Sequence, residues 1–420
     1  MPFRIALSGL NAATTDLRVI GNNVTNATTS GFKKSRVEFA DIYAAADQGV
    51  ASNAVGAGVK ISGIKQEYEQ GNINFTNNNL DLAISGQGFF RLNDGGVTKF
   101  TRAGGFGVDR NGFISNSANQ RLTGYLADTT GNITGALGDI QLSTNNLAPN
   151  ATTAISMVAN LNAAQTQPTA AFNRTDATSY NHSTSVTTYD SQGDAILQTL
   201  YFRKTATSGQ WDMYSYITNP SGAVTEAIPA GGVTGDPVVL TFSPNGLLTS
   251  ASPNTGVATV ADYNSVDPGT GASPMSFDIT LTDITQYGTE FSVNALTQDG
   301  YTTGRLSSID VGDTGVINAR YTNGQSLTLA QLALANFRNL DGLKQLGDTS
   351  WSETFDSGAA LVSTPGTGTL GVIQSGALEG SNVDLTEQLV AMITAQRNFQ
   401  ANAQVISTAD TITQTIINIR

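Results

Sequence analysis

His182 is the sole imidazole available for general acid–base work, and no cysteine accompanies it anywhere in the sequence. A nucleophile–histidine relay would have to be built on that residue, yet it stands in the polar stretch 179–185 beside no nucleophile motif. The lack of cysteine excludes a thiol nucleophile, a thiolate metal centre and a disulfide framework. Carboxylate pairs are the remaining route to hydrolysis: Asp190 with Asp194, or Asp278 with Asp283, have a spacing at which two acids can converge. Aspartates at turns and strand ends explain the same residues. Asp109, Asn111 and Asn116 offer calcium-type oxygens, but no acidic residue closes an EF-like loop, and turn chemistry accounts for them. Gly86-Gln87-Gly88 lacks the third glycine and the following helix of a dinucleotide fingerprint. No catalytic, cofactor or metal site is expected, and the chain reads as non-enzymatic.

The informative residues are apolar and periodic. Residues 381–420 contain no Gly and no Pro, in a chain with 44 Gly and 11 Pro. Leu385, Leu389, Met392, Phe399, Ala403, Ile406 and Ile417 fall at intervals that make one helical stripe. Asp384 can cap this helix, with Glu387 completing a capping box. Off the stripe stand Gln388, Gln396, Asn398, Gln400, Asn402, Gln404 and Gln414. These neutral amides can satisfy one another in a protein contact without the desolvation cost of ions. At the other end Phe3, Leu10, Leu17 and Val24 repeat every seven residues, with Ala6, Ala13 and Ile20 three positions after the first three, an a/d seam. Two such seams suggest terminal helices that pair and set everything between them off as an insertion. An adhesin or fibre-like binding protein is the rival reading for a secreted β-rich chain, but it needs anchoring at one end only.

The interior reads as β structure. Residues 31–71 look like an irregular connector with a strand over 59–64, and Lys33, Lys34 and Arg36 in it read as a solvated basic group. From residue 72 the period becomes two, with Leu80, Leu82 and Ile84 followed by Phe89, Phe90 and Leu92. Residues 145–283 hold three basic and ten acidic side chains, and no Lys or Arg occurs from 205 to 304. That stretch is expected to be an inserted β domain, with the first β domain resuming at Ile284, Trp351 packed in it, and 360–380 (above all 364–371) leading back as a connector. A formal net charge of -12 opposes a nucleic-acid partner. No stretch reaches the length of a membrane span, and no secretory leader is visible in residues 1–10.

Residues 8–33 and 381–420 closely resemble the terminal signatures of the bacterial flagellar axial family of rod, hook and hook–filament junction proteins, among which the hook proteins are the most similar. The match extends through GFKKSRVEFADIY (31–43), LDLAISGQGFFRL (80–92) and GALEGSNVDL (376–385). The resemblance implies a mainly β fold with terminal α-helices that pair as a coiled-coil-like layer, and two stacked β domains, the outer inserted in the inner. The expected division is 1–30 with 381–420 for the helices, 31–71 with 360–380 for the connector, 72–144 with 284–359 for the inner domain and 145–283 for the outer. It implies self-assembly through the two seams into a curved tube that joins motor to filament, a distal rod subunit being the alternative. It also implies contacts with distal rod and hook–filament junction proteins and with a hook cap. Export would proceed through the flagellar type III apparatus without a cleaved signal, to an extracellular site, with no cofactor, nucleic acid or membrane insertion.

Overall fold

The computed structural model of the chain describes residues 2–42, 56–142, 145–254 and 256–418. They form two compact units, one of Met1–Thr144, Ser307–Arg320 and Ser326–Arg420, the other of Asn145–Leu306 with Tyr321–Gln325.

In the first unit two helices, α1 (Pro2–Thr25) and α2 (Leu385–Asn418), pack on each other beside a β body. The helices form where Gly and Pro are scarce. At its start α2 is capped by Asp384, whose Oδ1 accepts the Thr386 and Glu387 N–H groups at 2.7 and 3.2 Å. The expected reciprocal half of the box is replaced by an ion pair, the Glu387 carboxylate lying 3.5 Å from Lys34 Nζ.

The body is built on strand Phe89–Asp94, which turns through Gly95 and Gly96, both at positive φ, into Val97–Thr101. Its period of two sorts side chains between two cores. Phe90 and Leu92 enter a cluster with Leu82, Ile84, Leu122 and Ile317, while Phe89 enters an aromatic cluster with Phe100, Phe337 and Trp351. Trp351 is held by its indole N–H, which donates to Gln66 Oε1 at 2.7 Å. Residues 326–342 form strands Ser326–Leu332 and Leu334–Asn336 and one 3-10 turn, Leu340–Gly342.

The expected connectors are more ordered than their composition suggests. Ser35–Asp41 and Val59–Gln66 pair antiparallel with a bulge at Glu38/Phe39; the intervening small-residue run lies mostly outside the described residues. On the return path Leu361–Ser363, Val372–Ser375 and Ala377–Glu379 each pair with a strand of the body. Residues 364–371 are likewise no free linker. Gly371 N donates to Gln87 O at 2.8 Å, and Leu370 packs on the core.

The second unit is a β sandwich. One sheet runs His182–Tyr189, Ala195–Lys204, Gln210–Thr218, Val238–Phe242 and Leu248–Ser252, with Val224–Ala227 paired to the third. The other runs Val260–Val266, Met275–Thr280, Ala154–Asn160 and Ser292–Gln298. Alternating residues of 195–204 and 210–218 feed Ile196, Leu200, Phe202, Trp211 and Met213 into the core between the sheets. This moves one expected boundary. The first unit does not resume at Ile284: Ser292–Gln298 lies antiparallel to Ala154–Asn160, and Ile284 is in the sandwich core, so the second unit runs on to Leu306.

Candidate assembly surface

None of the residues considered for chemistry is assembled into a site. His182 is half-buried and stacks on Phe291 with ring centroids 4.3 Å apart, and burial holds its imidazole below the usual range. Asp190 spends its carboxylate on its own turn, accepting from Gln192 N and Asp194 N at 2.9 Å each and from Thr270 Oγ1 at 2.6 Å. Asp278 stands directly across the strand pair from Asp262, not Asp283. Asp109 Oδ1 accepts from Asn111 N and Phe113 N, and Asn116 Oδ1 from Ala118 N and Gln120 N, two separate side-chain-stabilised turns. Among the described residues no cluster of His or carboxylates could hold a metal ion, and no helix is long and apolar enough to cross a membrane.

The periodic residues do come together, unequally. Of the N-terminal seam, Ala6, Ala13 and Ile20 are buried, Leu10, Leu17 and Val24 half-buried, and Phe3 exposed. On α2, Met392, Phe399, Ala403 and Ile406 are half-buried, whereas Leu385, Leu389 and Ile417 are exposed. The seam is therefore centred on small residues that let the helices approach closely. A Cβ placed on Gly9 would lie 2.5 Å from Asn402 Oδ1, and Gln388 and Ala395 are the buried residues among those described on α2.

Sequence periodicity missed the polar members of this seam. Asn23 is buried, its Nδ2 donating to Gln388 Oε1 at 3.0 Å and to Ser35 O at 2.8 Å, while its Oδ1 accepts from Ser35 N at 2.9 Å. One asparagine thus ties α1 to α2 and to the first strand. The excess of amides on α2 was the legible signal, but not which amide turns inward.

A second missed feature lies at the roots of the helices. Lys33, expected in a solvated basic group, is buried: its Nζ is 2.7 Å from Glu379 Oε1 and 2.6 Å from Glu69 O. Arg102 Nη1 is 3.1 Å from Glu379 Oε2, and Gly71 N donates to Oε1 at 3.0 Å. Burial lowers the affinity of both cations for their protons, with the Glu379 carboxylate opposing that shift. The chain leaving α1, the β body and the chain entering α2 are joined at this one carboxylate. Asn382 adds a second tie, accepting Lys34 N at 2.7 Å and donating to Glu67 O at 2.8 Å. Of the other two members of the basic group Arg36 is exposed and Lys34 half-buried, both paired with Glu67.

Pairing does not exhaust the apolar surface of the helices. Ile5, Leu7, Leu385, Leu389, Val390, Ile393, Val405, Ile412 and Ile417 all stay exposed. Phe3, Ala401, Val405, Ala409 and Ile412 line an open apolar groove along the pair. A helix apolar beyond one stripe is built to be covered on more than one side.

Residues 3–33 match the family described as flagella basal body rod protein, and 374–419 match the flagellar basal body rod FlgEFG protein C-terminal family. Residues 83–157 match the flagellar hook protein FlgE/F/G D1 domain, and 160–301 the flagellar basal body protein FlaE D2 domain. The chain is 40% identical over 426 residues to the flagellar hook protein FlgE of Escherichia coli strain K12, with all of both chains covered. It is 39% identical over 432 residues to that of Salmonella typhimurium, again with full coverage. With that of Treponema pallidum identity is 34%, covering 99% of this chain and 98% of the relative. Among solved structures it shares its fold with the Helicobacter pylori flagellar hook protein FlgE2, at a TM-score of 0.53 and 14% identity, covering 73% of this chain and 100% of that one.

Proposed function

The chain belongs to the flagellar hook protein family and is a structural subunit of the hook, and we propose that it polymerises through its paired terminal helices into a flexible tube that transmits torque from rod to filament. The observation that carries the mechanism is the apolar surface left on α1 and α2 after they pair. Each subunit presents different faces to its neighbours, a heterologous contact that does not close and grows as a helix. Rod and junction proteins would extend the same helical layer, a cap would hold the growing end, and the chain would leave the cell through the flagellar export apparatus.

Bending during rotation requires contacts that shorten and lengthen once per turn. The second unit suits that role, since its cation-free stretch 205–304 is rich in Thr, Ser, Asn and Gly. Such contacts exchange with water at small cost, whereas interlocked apolar contacts hold one spacing. Rigidity would reside in the helical layer and its buried ionic root.

The test is assembly of purified protein. Wild type is expected to form short tubes visible by electron microscopy, and Val405→Glu, altering an exposed position on α2, to remain monomeric with wild-type circular dichroism and melting temperature. Tubes formed by the variant at wild-type concentration, or a variant monomer that melts many degrees lower, would show that this face serves the subunit itself.

A further inference from the structure

Phe355 is fully exposed, at 100%, the extreme among the large apolar side chains of the described residues. It is not on a loose loop. The preceding residue, Thr354, donates its hydroxyl to Gly342 O at 2.6 Å and its N–H to Ser357 Oγ at 2.9 Å. Ser357 is buried, Asn339 Nδ2 donates to Asp356 O at 3.0 Å, and Glu353 Oε2 accepts Ala360 N at 3.1 Å. Every neighbour of the ring is tied down while the ring itself touches nothing. An aromatic on a backbone already fixed in this way loses only its two side-chain torsions when it docks, which is how anchor residues of interfaces behave.

The flanking charges say what it fits. Glu353 and Asp356 bracket the ring, so the receiving recess must be apolar with a basic rim. Such places are scarce in a chain with a net charge of -12. The first unit carries a hollow of about 610 Å³ lined by Tyr68, Phe337 and Leu340, whose walls hold Lys65, Arg102 and Arg338 together with Glu69 and Asp341, so that its one unpaired exposed cation is Arg338 among the described residues. Lys65 is paired with Asp341 at 2.8 Å. Arg338 is exposed and, among the described residues, stands in no ion pair. The ring does not occupy this hollow in its own chain.

We propose that Phe355 of one subunit docks in the Tyr68–Phe337 hollow of a second copy of this chain, with Asp356 facing Arg338 across the contact. The proposal rests on the polymer reading above and adds to it a contact between β bodies, separate from the helical layer.

The experiment uses the full-length chain. Phe355→Ala should leave the monomer's melting temperature and circular dichroism unchanged and raise the concentration needed for tube formation by roughly tenfold or more. Asp356→Arg and Arg338→Asp should each impair assembly, and the two together should restore it. A photoreactive phenylalanine at 355, irradiated in assembled tubes, should yield covalent multimers whose cross-linked peptides map to 65–69 or 336–341. Normal assembly of Phe355→Ala, no rescue in the double charge swap, or cross-links mapping elsewhere would overturn the contact while leaving the hook reading intact. Failure of wild type to form tubes under the same conditions would instead overturn the polymer reading and this contact with it.

Discussion

Lys33 Nζ lies 2.7 Å from Glu379 Oε1, with both side chains fully buried and 346 positions apart in the chain. Neither charge reaches water, and each helix root is fixed through that bond to the body between them. Such a pair adds little stability over an apolar replacement but is costly to break on one side.

Glu379→Gln should therefore destabilise the first unit by about 3–5 kcal/mol, because it strands Lys33 and Arg102 together without an anion. Lys33→Met should cost clearly less, since Arg102 still neutralises the carboxylate. Denaturant titration followed by Trp351 fluorescence measures both; equal losses in the two variants would show that Arg102 contributes nothing to the cluster.

The Asn23–Gln388 link predicts a difference between two helix variants. Asn23→Ala leaves the N–H and carbonyl of Ser35 and the Gln388 amide unpartnered, at a cost of about 1–3 kcal/mol. Gln388→Leu removes one partner only and should cost less. Hydrogen exchange of the Ser35 amide reads this directly: it should speed up in Asn23→Ala and stay protected in Gln388→Leu.

The boundary at Leu306 makes a deletion test sharp. Joining Leu142 to Ser307 through a short Gly/Ser linker should leave a soluble, cooperatively melting first unit. Joining Leu142 to Ile284 instead retains Ser292–Gln298 without its partner strand, and an unpaired strand edge should drive aggregation. Light scattering of the two purified proteins distinguishes them, and the opposite ranking would place 284–306 with the first unit.

Acid should weaken the base of the second unit. Burial pushes the Asp299 carboxyl up, but hydrogen bonds from the Thr153 hydroxyl and from the N–H groups of Ala154 and Thr153 outweigh it and hold the group below its usual range. A carboxylate depressed in the folded state contributes stability that is present above the unfolded value of roughly 3.9 and is lost as pH falls through the folded value. Calorimetry from about pH 6 downward should show a declining melting temperature on the acid limb, shallower in Asp299→Asn. An identical slope in both proteins would mean that other carboxylates set it.

Local pattern made the elements readable. The scarcity of Gly and Pro at the termini, the seven-residue spacing of Leu10 and Leu17, the alternation through Phe90 and Leu92, and a single histidine are properties of short stretches of chain. Each follows from the geometry of a helix or strand alone, and the terminal motifs carried the family resemblance with them.

What tertiary structure decided is pairing at long range. Lys33 sits beside Lys34 in a polar stretch, and nothing nearby distinguishes the fully buried cation from the half-buried one; only Glu379 and Arg102, brought in by the fold, make the difference. Phe3 and Ala6 share one seam by spacing, but the close approach of the helices buries the alanine and leaves the phenylalanine out. The place of strand Ser292–Gln298 beside Ala154–Asn160 was likewise not legible, so the expected boundary at Ile284 moved to Leu306. Periodicity states which face of an element is apolar. Which partner covers that face depends on contacts between residues hundreds of positions apart, and these exist only once the chain has folded.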